Sequence, residues 1–280
     1  MRILFIGGDK RTLEIINILK ERYADIDIVG YNTLALDTIK LKEINNKYYD
    51  VIIFPVDGIK DDCTVTSYFN ESDLFLNEMD LNIKERTLVF SGVKTSKLDS
   101  IFGNNYIKLM DFDDVSIKNS IPTAEGVIAN IIENTDYTIN DSNIVVLGYG
   151  RCGKTLTQKL IGLGATVSVG ISENSNDSFL KQNRVKLFST KDNMKENIKN
   201  CDIIVNTVPA LLLDSNNLNH MKKNVYIIDI SSYPYGIDFE YAQTKNIKAV
   251  LLSSIPGKVA PKIAGKILAD KIINIIKELK

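Results

Sequence analysis

Gly148, Gly150 and Gly153 follow one another as GxGxxG within VVLGYGRCGKTL, Val145 to Leu156, directly after a β-branched run and at the mouth of a helical pattern. That setting gives the spacing a chemical use. The first glycine permits a tight turn, the second leaves backbone bare where a diphosphate must approach, and the third lets the helix pack closely on the strand. The N–H groups that open the helix face the phosphates. The expected dinucleotide turn is therefore Gly148, Tyr149, Gly150, Arg151, Cys152 and Gly153, with Cys152 read as a small packing residue that the ligand would cover.

Two further strand ends should border the same ligand. In IIVNTVPALLL the chain leaves a strand through Asn206, Thr207, Val208 and Pro209, and IIDISSYPYG does so after Asp229. The adenosine ribose is read at the end of the strand after the glycine helix, GATVSVGISENSND. There the usual acidic position falls on Ile171, while Ser172, Asn174 and Ser175 could donate to a phosphate. This favours NADP. Glu173 stands against it, because it lies about 20 residues after Gly153 and satisfies the simple spacing rule for NAD, and the first cation beyond the strand is Lys181.

These residues need a scaffold, and the chain is long enough to supply one. Its 280 residues are 44% hydrophobic and 25% charged, enough for two domains with separate cores. Short β-branched runs (RILFIGG, DIDIVGY, YDVIIFPV, TLVFSGV, then SNIVVLGYG, ATVSVGI, CDIIVNTVP, NVYIIDIS, IKAVLLSS) alternate with helical stretches. The expected fold class is α/β, with two doubly wound Rossmann-like domains and a cleft between them. The expected boundaries are residues 1–120 and 121–258, with a C-terminal helix over 261–280 completing the first domain. Pro122 is expected to force an extended approach to a connecting helix capped by Thr123 and running through Ile132.

Overlaying the two halves sets Gly7 on Gly148, Asp9 on Gly150 and Thr12 on Gly153. A carboxylate at Asp9 would meet the diphosphate as a like charge, so the N-terminal half is read as the substrate side. Composition narrows the partners. A formal charge of -1 gives no general field for nucleic acid or anionic membrane, and no apolar run approaches the roughly 20 residues of a membrane helix, so a cytoplasmic location is expected. Cys63, Cys152 and Cys201 lack metal-ligand spacing, so neither zinc nor a disulfide is expected.

GGDKR near the start, IPTAEGVI followed by NTDYTI, VLGYGRCG, DISSYPYGIDF and PGKVAPKIAGKI together resemble the dipicolinate synthase A-subunit family of spore-forming bacteria. The resemblance covers nearly the whole chain. It implies an NADPH-linked oxidoreductase that makes dipicolinate for the spore from a cyclic dihydro- or hydroxytetrahydro-dipicolinate of the lysine pathway, beside a flavoprotein-like B subunit. Relatives tend to carry Arg-Ser at the end of the second strand of the cofactor domain, where this chain has Ile171, Ser172 and Glu173.

A pyridine-type dicarboxylate needs cations, and Arg11, Lys258 and Lys262 are the expected ones, Arg being suited by its planar fork. Glu125 and Asp9 are the expected proton acceptors if burial lifts their pKa. His220, the only histidine, is read as structural or exposed. Two other readings stay open: a different two-domain NAD(P) dehydrogenase, and a non-catalytic cofactor-binding scaffold. Self-association through an apolar strand edge or helix face also stays open.

Overall fold

The structure is a computed structural model that describes residues 1–45, 47–103, 105–172 and 177–279. The chain divides into two units, Met1–Asn119 with Pro256–Lys280, and Ser120–Ile255. In unit 1 the elements are β1 (Arg2–Ile6), α1 (Lys10–Lys20), β2 (Asp25–Val29), β3 (Val51–Ile53), β4 (Thr64–Val65), β5 (Leu74–Phe75), β6 (Leu88–Ser91), α2 (Ser96–Phe102) and β7 (Ile107–Lys108). The helix α3 (Asp113–Asn134) carries the boundary at Asn119.

In unit 2 the elements after α3 are β8 (Asn143–Leu147), α4 (Arg151–Gly162), β9 (Thr166–Ile171), α5 (Ser178–Gln182) and β10 (Lys186–Ser189). They continue through α6 (Met194–Ile198), β11 (Ile203–Asn206), α7 (Ser215–Leu218), β12 (Tyr226–Asp229), α8 (Phe239–Thr244) and β13 (Lys248–Leu251). The short α9 (Ile255–Val259) spans the second boundary, and α10 (Pro261–Glu278) returns to unit 1.

Both main sheets are parallel. Unit 1 has the order β2-β1-β3-β6-β7 and unit 2 the order β10-β9-β8-β11-β12-β13. Each order reverses once, between β1 and β3 in one sheet and between β8 and β11 in the other, and such a switch point opens a crevice outside the carboxyl ends of the strands. Period-2 side chains explain why both faces are covered. Ile3 and Phe5 of β1 enter one core while Leu4 and Ile6 enter the other, and Ile144 and Val146 oppose Val145 and Leu147 in the same way. The apolar stripe of α10, Leu268, Ala269, Ile272, Ile273 and Ile276, packs with Ile15, Ile16 and Leu19 of α1.

The connecting helix departs from expectation. It begins at Asp113 rather than Thr123, and Pro122 lies inside it. A proline there removes one backbone donor at a cost of about 3 kcal/mol. Two acidic residues in the first turn favour the helix start, and burial of Val115 in one core and Ala124, Val127 and Ile131 in another offsets the proline. Four short strands were also not foreseen: β4 and β5, which form an antiparallel pair, and the edge strands β7 and β10. All are short, and in VKLFS a four-residue strand offers too little alternation to read.

Candidate functional site

The glycine turn leaves β8 and the Asn206–Pro209 segment leaves β11, and these strands are hydrogen-bonded neighbours at the switch point of unit 2. A groove of about 880 Å3 lies along this edge. Gly148 adopts φ +94°, which a side chain rarely tolerates, and a Cβ there would run into Thr207 Oγ1. A Cβ on Gly153 would run into the Gly148 carbonyl oxygen, so this position fixes how closely α4 meets the turn. At Gly150 a Cβ would meet nothing within 4 Å, and Gly150 is the N-cap of α4 with no capping side chain. The positive end of the helix dipole therefore opens onto bare space, which fits a diphosphate.

Tyr149, Arg151, Cys152, Thr207, Val208 and Pro209 line the groove with Gly148 and Gly150, and Ser172 joins them from the end of β9. Burial raises the Cys152 thiol pKa against the opposing charge of Arg151, so the helix end does not make it a ready thiolate. Asn174 and Glu173 lie outside the described residues. Asn206 and Asp229, expected to border the ligand, are fully buried. The Asn206 amide donates to Asp229 Oδ1 and to the Val208 carbonyl, each at 2.9 Å, while Asp229 also accepts from Ser231 N at 2.8 Å and Gly236 N at 2.7 Å. They shape the two loops from behind, because unpaired polar groups at zero exposure would be costly.

Sequence reasoning missed other groove residues. Lys154 reaches Asp177 at 3.2 Å and lies over the Tyr149 ring, whose hydroxyl pKa is pushed up to about 12 by burial and by the charge of Asp177. Thr190 and Lys191 arrive from β10. A basic residue just after the short apolar run LF was the available signal.

Unit 1 treats the corresponding turn differently. Asp9 caps α1, its Oδ1 accepting from Arg11 N at 2.8 Å, so a carboxylate occupies the position that Gly150 leaves empty. Arg11 Nε and Nη2 donate to Asp9 Oδ2 at 2.9 and 2.7 Å. A Cβ on Gly257 would fall 2.8 Å from Arg11 Nε and 2.9 Å from Asp9 Oδ2, so the α9 backbone covers the pair. Arg11 is buried, with its fork engaged, whereas Lys258 and Lys262 are exposed. Glu125 is exposed too, paired with Lys159 at 3.0 Å, and so lacks the burial expected of a tuned base. His220 is exposed and its Nδ1 lies 2.7 Å from the Asn216 carbonyl.

Asp57, just beyond β3 at the unit 1 switch point, was not singled out from sequence. Its residue surface is open to solvent, yet surrounding protein crowds the carboxyl enough that desolvation raises its pKa, against the opposing charge of Arg11 and a hydrogen bond with Thr66. The folded state then holds this proton more tightly than the unfolded chain. The stability it contributes is complete below the ordinary aspartate value of about 4 and is lost as pH rises through the raised folded pKa. Asp57→Asn is accordingly expected to raise the melting temperature at pH 7 and to flatten its decline above pH 4. Calorimetric scans of both proteins from pH 4 to 8 check this; a lower melting point for the variant at pH 7 would contradict it.

Among the described residues no helix is long and apolar enough to cross a membrane, and no group of three or more His, Cys, Asp or Glu could hold a metal ion. The three cysteines are free.

Known proteins match this arrangement over its whole length. Residues 2–112 match the N-terminal domain of the dipicolinate synthase A subunit, and residues 124–232 match the NAD binding domain of D-isomer specific 2-hydroxyacid dehydrogenases. The dipicolinate synthase A subunit of Bacillus subtilis is 37% identical over 289 residues, covering 100% of this chain and 97% of the relative. The crystal structure of the A subunit from Bacillus halodurans superposes with a TM-score of 0.92 at 34% identity, covering 98% of this chain and 97% of that one. For the crystal structure of the B. subtilis A subunit the TM-score is 0.90 at 36% identity, with coverage of 100% and 96%. With a nicotinamide-dinucleotide domain built on the glycine turn and this similarity from end to end, the chain belongs to the dipicolinate synthase A-subunit family.

Proposed function

We propose that this chain is the dehydrogenase component of a two-component dipicolinate-forming enzyme, using NADP to oxidise a cyclic dihydro- or hydroxytetrahydro-dipicolinate. The observation that carries the reading is the open Cβ position of Gly150 at the uncapped start of α4, in a chain similar over its full length to named dipicolinate synthase A subunits. NADP is preferred because β9 ends on the apolar Ile171, which can accept no hydrogen bond from ribose hydroxyls.

A bound nicotinamide supplies a hydride acceptor. Converting the dihydro substrate to the aromatic ring would require loss of one hydride and one proton, and the hydroxytetrahydro form would have to lose water as well. Aromatisation supplies much of the driving force, so the chain mainly has to bind and orient. In unit 2 the Gly148–Gly153 turn and the start of α4 would hold the diphosphate, and Thr207, Val208 and Pro209 would flank the dinucleotide. Lys258 and Lys262, exposed in unit 1, are the proposed receivers of substrate carboxylates, since the fork of buried Arg11 is engaged by Asp9. Asp57 rather than Glu125 is the proposed proton acceptor, since surrounding protein crowds its carboxyl and raises its pKa, whereas Glu125 is exposed and paired with Lys159.

A flavoprotein-like B subunit is the proposed partner, and the cytoplasm is the proposed location. The test is titration of the purified chain with both dinucleotides, then turnover with and without the partner. Reduced cofactor should form only with a pyridine-type dicarboxylate, and more readily with the partner present. Tight binding without turnover under any of these conditions would favour the scaffold reading instead.

A further inference from the structure

We propose that Lys191 and Thr190, with Ser172, form the receptor for the phosphate on the adenosine ribose, and so decide which dinucleotide this chain selects. The inference rests on the reading of the unit 2 groove as a dinucleotide site.

In a sheet of this order the adenosine ribose lies near the end of the second strand, here β9, and selectivity depends on what meets its 2′ position. The strand itself offers Ile171 and then Ser172. The unforeseen strand β10 changes that inventory. It pairs parallel to β9 with Ser189 opposite Ile171, and the chain continues past it with Thr190 N donating to the Ile171 carbonyl at 2.9 Å. Residues 18 or 19 positions downstream of Ser172 are thereby pinned beside it.

The turn that follows is fixed from within. Ser189 Oγ donates to Asp192 Oδ2 at 2.6 Å and accepts from Lys191 N at 3.2 Å, while Asn193 Oδ1 accepts from Ser189 N at 3.0 Å. These bonds hold the Lys191 backbone and engage the nearest downstream carboxylate on a hydroxyl. The Lys191 ammonium makes no ion pair among the described residues, yet the residue lines the groove with Thr190 and Ser172. Lys154, by contrast, is committed to Asp177.

A cation with no anion partner among the described residues, in a turn held by three hydrogen bonds, beside two hydroxyls at the rim of a dinucleotide groove, suits a dianionic phosphate ester. Two free ribose hydroxyls would instead call for a carboxylate.

The experiment is isothermal titration of the full chain with NADP and with NAD, for the wild type, Lys191→Ala and Glu173→Gln, with circular dichroism confirming that each variant is folded. The wild type should bind NADP at least tenfold tighter than NAD. Lys191→Ala should weaken NADP about tenfold while leaving NAD within twofold, and 2′,5′-ADP should lose affinity in step whereas 5′-ADP does not. Glu173→Gln should leave the preference for NADP in force. Equal loss for both dinucleotides in Lys191→Ala, or a wild-type preference for NAD that Glu173→Gln abolishes, overturns this proposal while the dinucleotide reading stands. Binding of neither dinucleotide by the wild type overturns both.

Discussion

Gly150→Asp should abolish dinucleotide binding while leaving the protein as stable as before or slightly more so. The two effects have different origins. In the unliganded protein a side chain at position 150 enters open space, and the backbone there, φ -79° and ψ -162°, suits any residue. Aspartate is also a preferred N-cap, better than glycine by a few tenths of a kcal/mol. For a diphosphate the same carboxylate is both an obstruction and a like charge at the helix end. The dissociation constant should rise at least 100-fold, about 3 kcal/mol. Asp9 of unit 1 supplies the precedent within this molecule, capping α1 and pairing with Arg11. Titration and thermal melting of one sample check both halves; unaltered binding would remove the diphosphate from this turn. Gly153→Ala is the informative contrast, because its methyl group must displace the Gly148 carbonyl, so that variant should lose stability as well as affinity.

Asp229→Ala should be the most damaging single change to unit 2 outside its apolar core. This carboxylate is fully buried and accepts from Asn206, Ser231 and Gly236. Truncation strands buried donors, each costing about 1–3 kcal/mol, and a total near 4 kcal/mol corresponds to a melting point roughly 10 °C lower. Asp229→Asn keeps an acceptor and should fall between. Dinucleotide affinity should drop with stability, since the loops that this network holds carry Thr207, Val208, Ser231 and Ser232 into the groove. A melting point within 2 °C of the wild type would mean that the network does not hold those loops. The role differs from direct ligand contact, and Gly150→Asp separates the two because it should impair binding without lowering stability.

Local patterns in the chain were sufficient for much of this. Alternating apolar runs gave the main strands, since a strand buried on both faces has to be apolar along its length. The glycine spacing gave the tight strand–turn–helix geometry from Gly148 to Gly153, and the contrast between Asp9 and Gly150 gave the different starts of α1, capped by a carboxylate, and α4, uncapped. Each of these depends on residues within one strand–turn–helix unit, where spacing alone dictates geometry.

Features that depend on neighbours distant in sequence emerged only on folding. Pro122 sits within α3 because packing on both of its stretches outweighs the local penalty. Asn206 and Asp229 pair across adjacent strands and turn inward, so polar residues expected at the ligand became its scaffold. Arg11 is claimed by Asp9, Glu125 by Lys159, and Asp57 acquires its raised pKa from crowding that no sequence pattern displays. Lys191 reaches the groove only because β10 pairs with β9. The order of residues was enough to place a bare, uncapped helix start after β8; the packed chain selects which side chains stand free around it, because burial and pairing depend on what distant segments bring alongside.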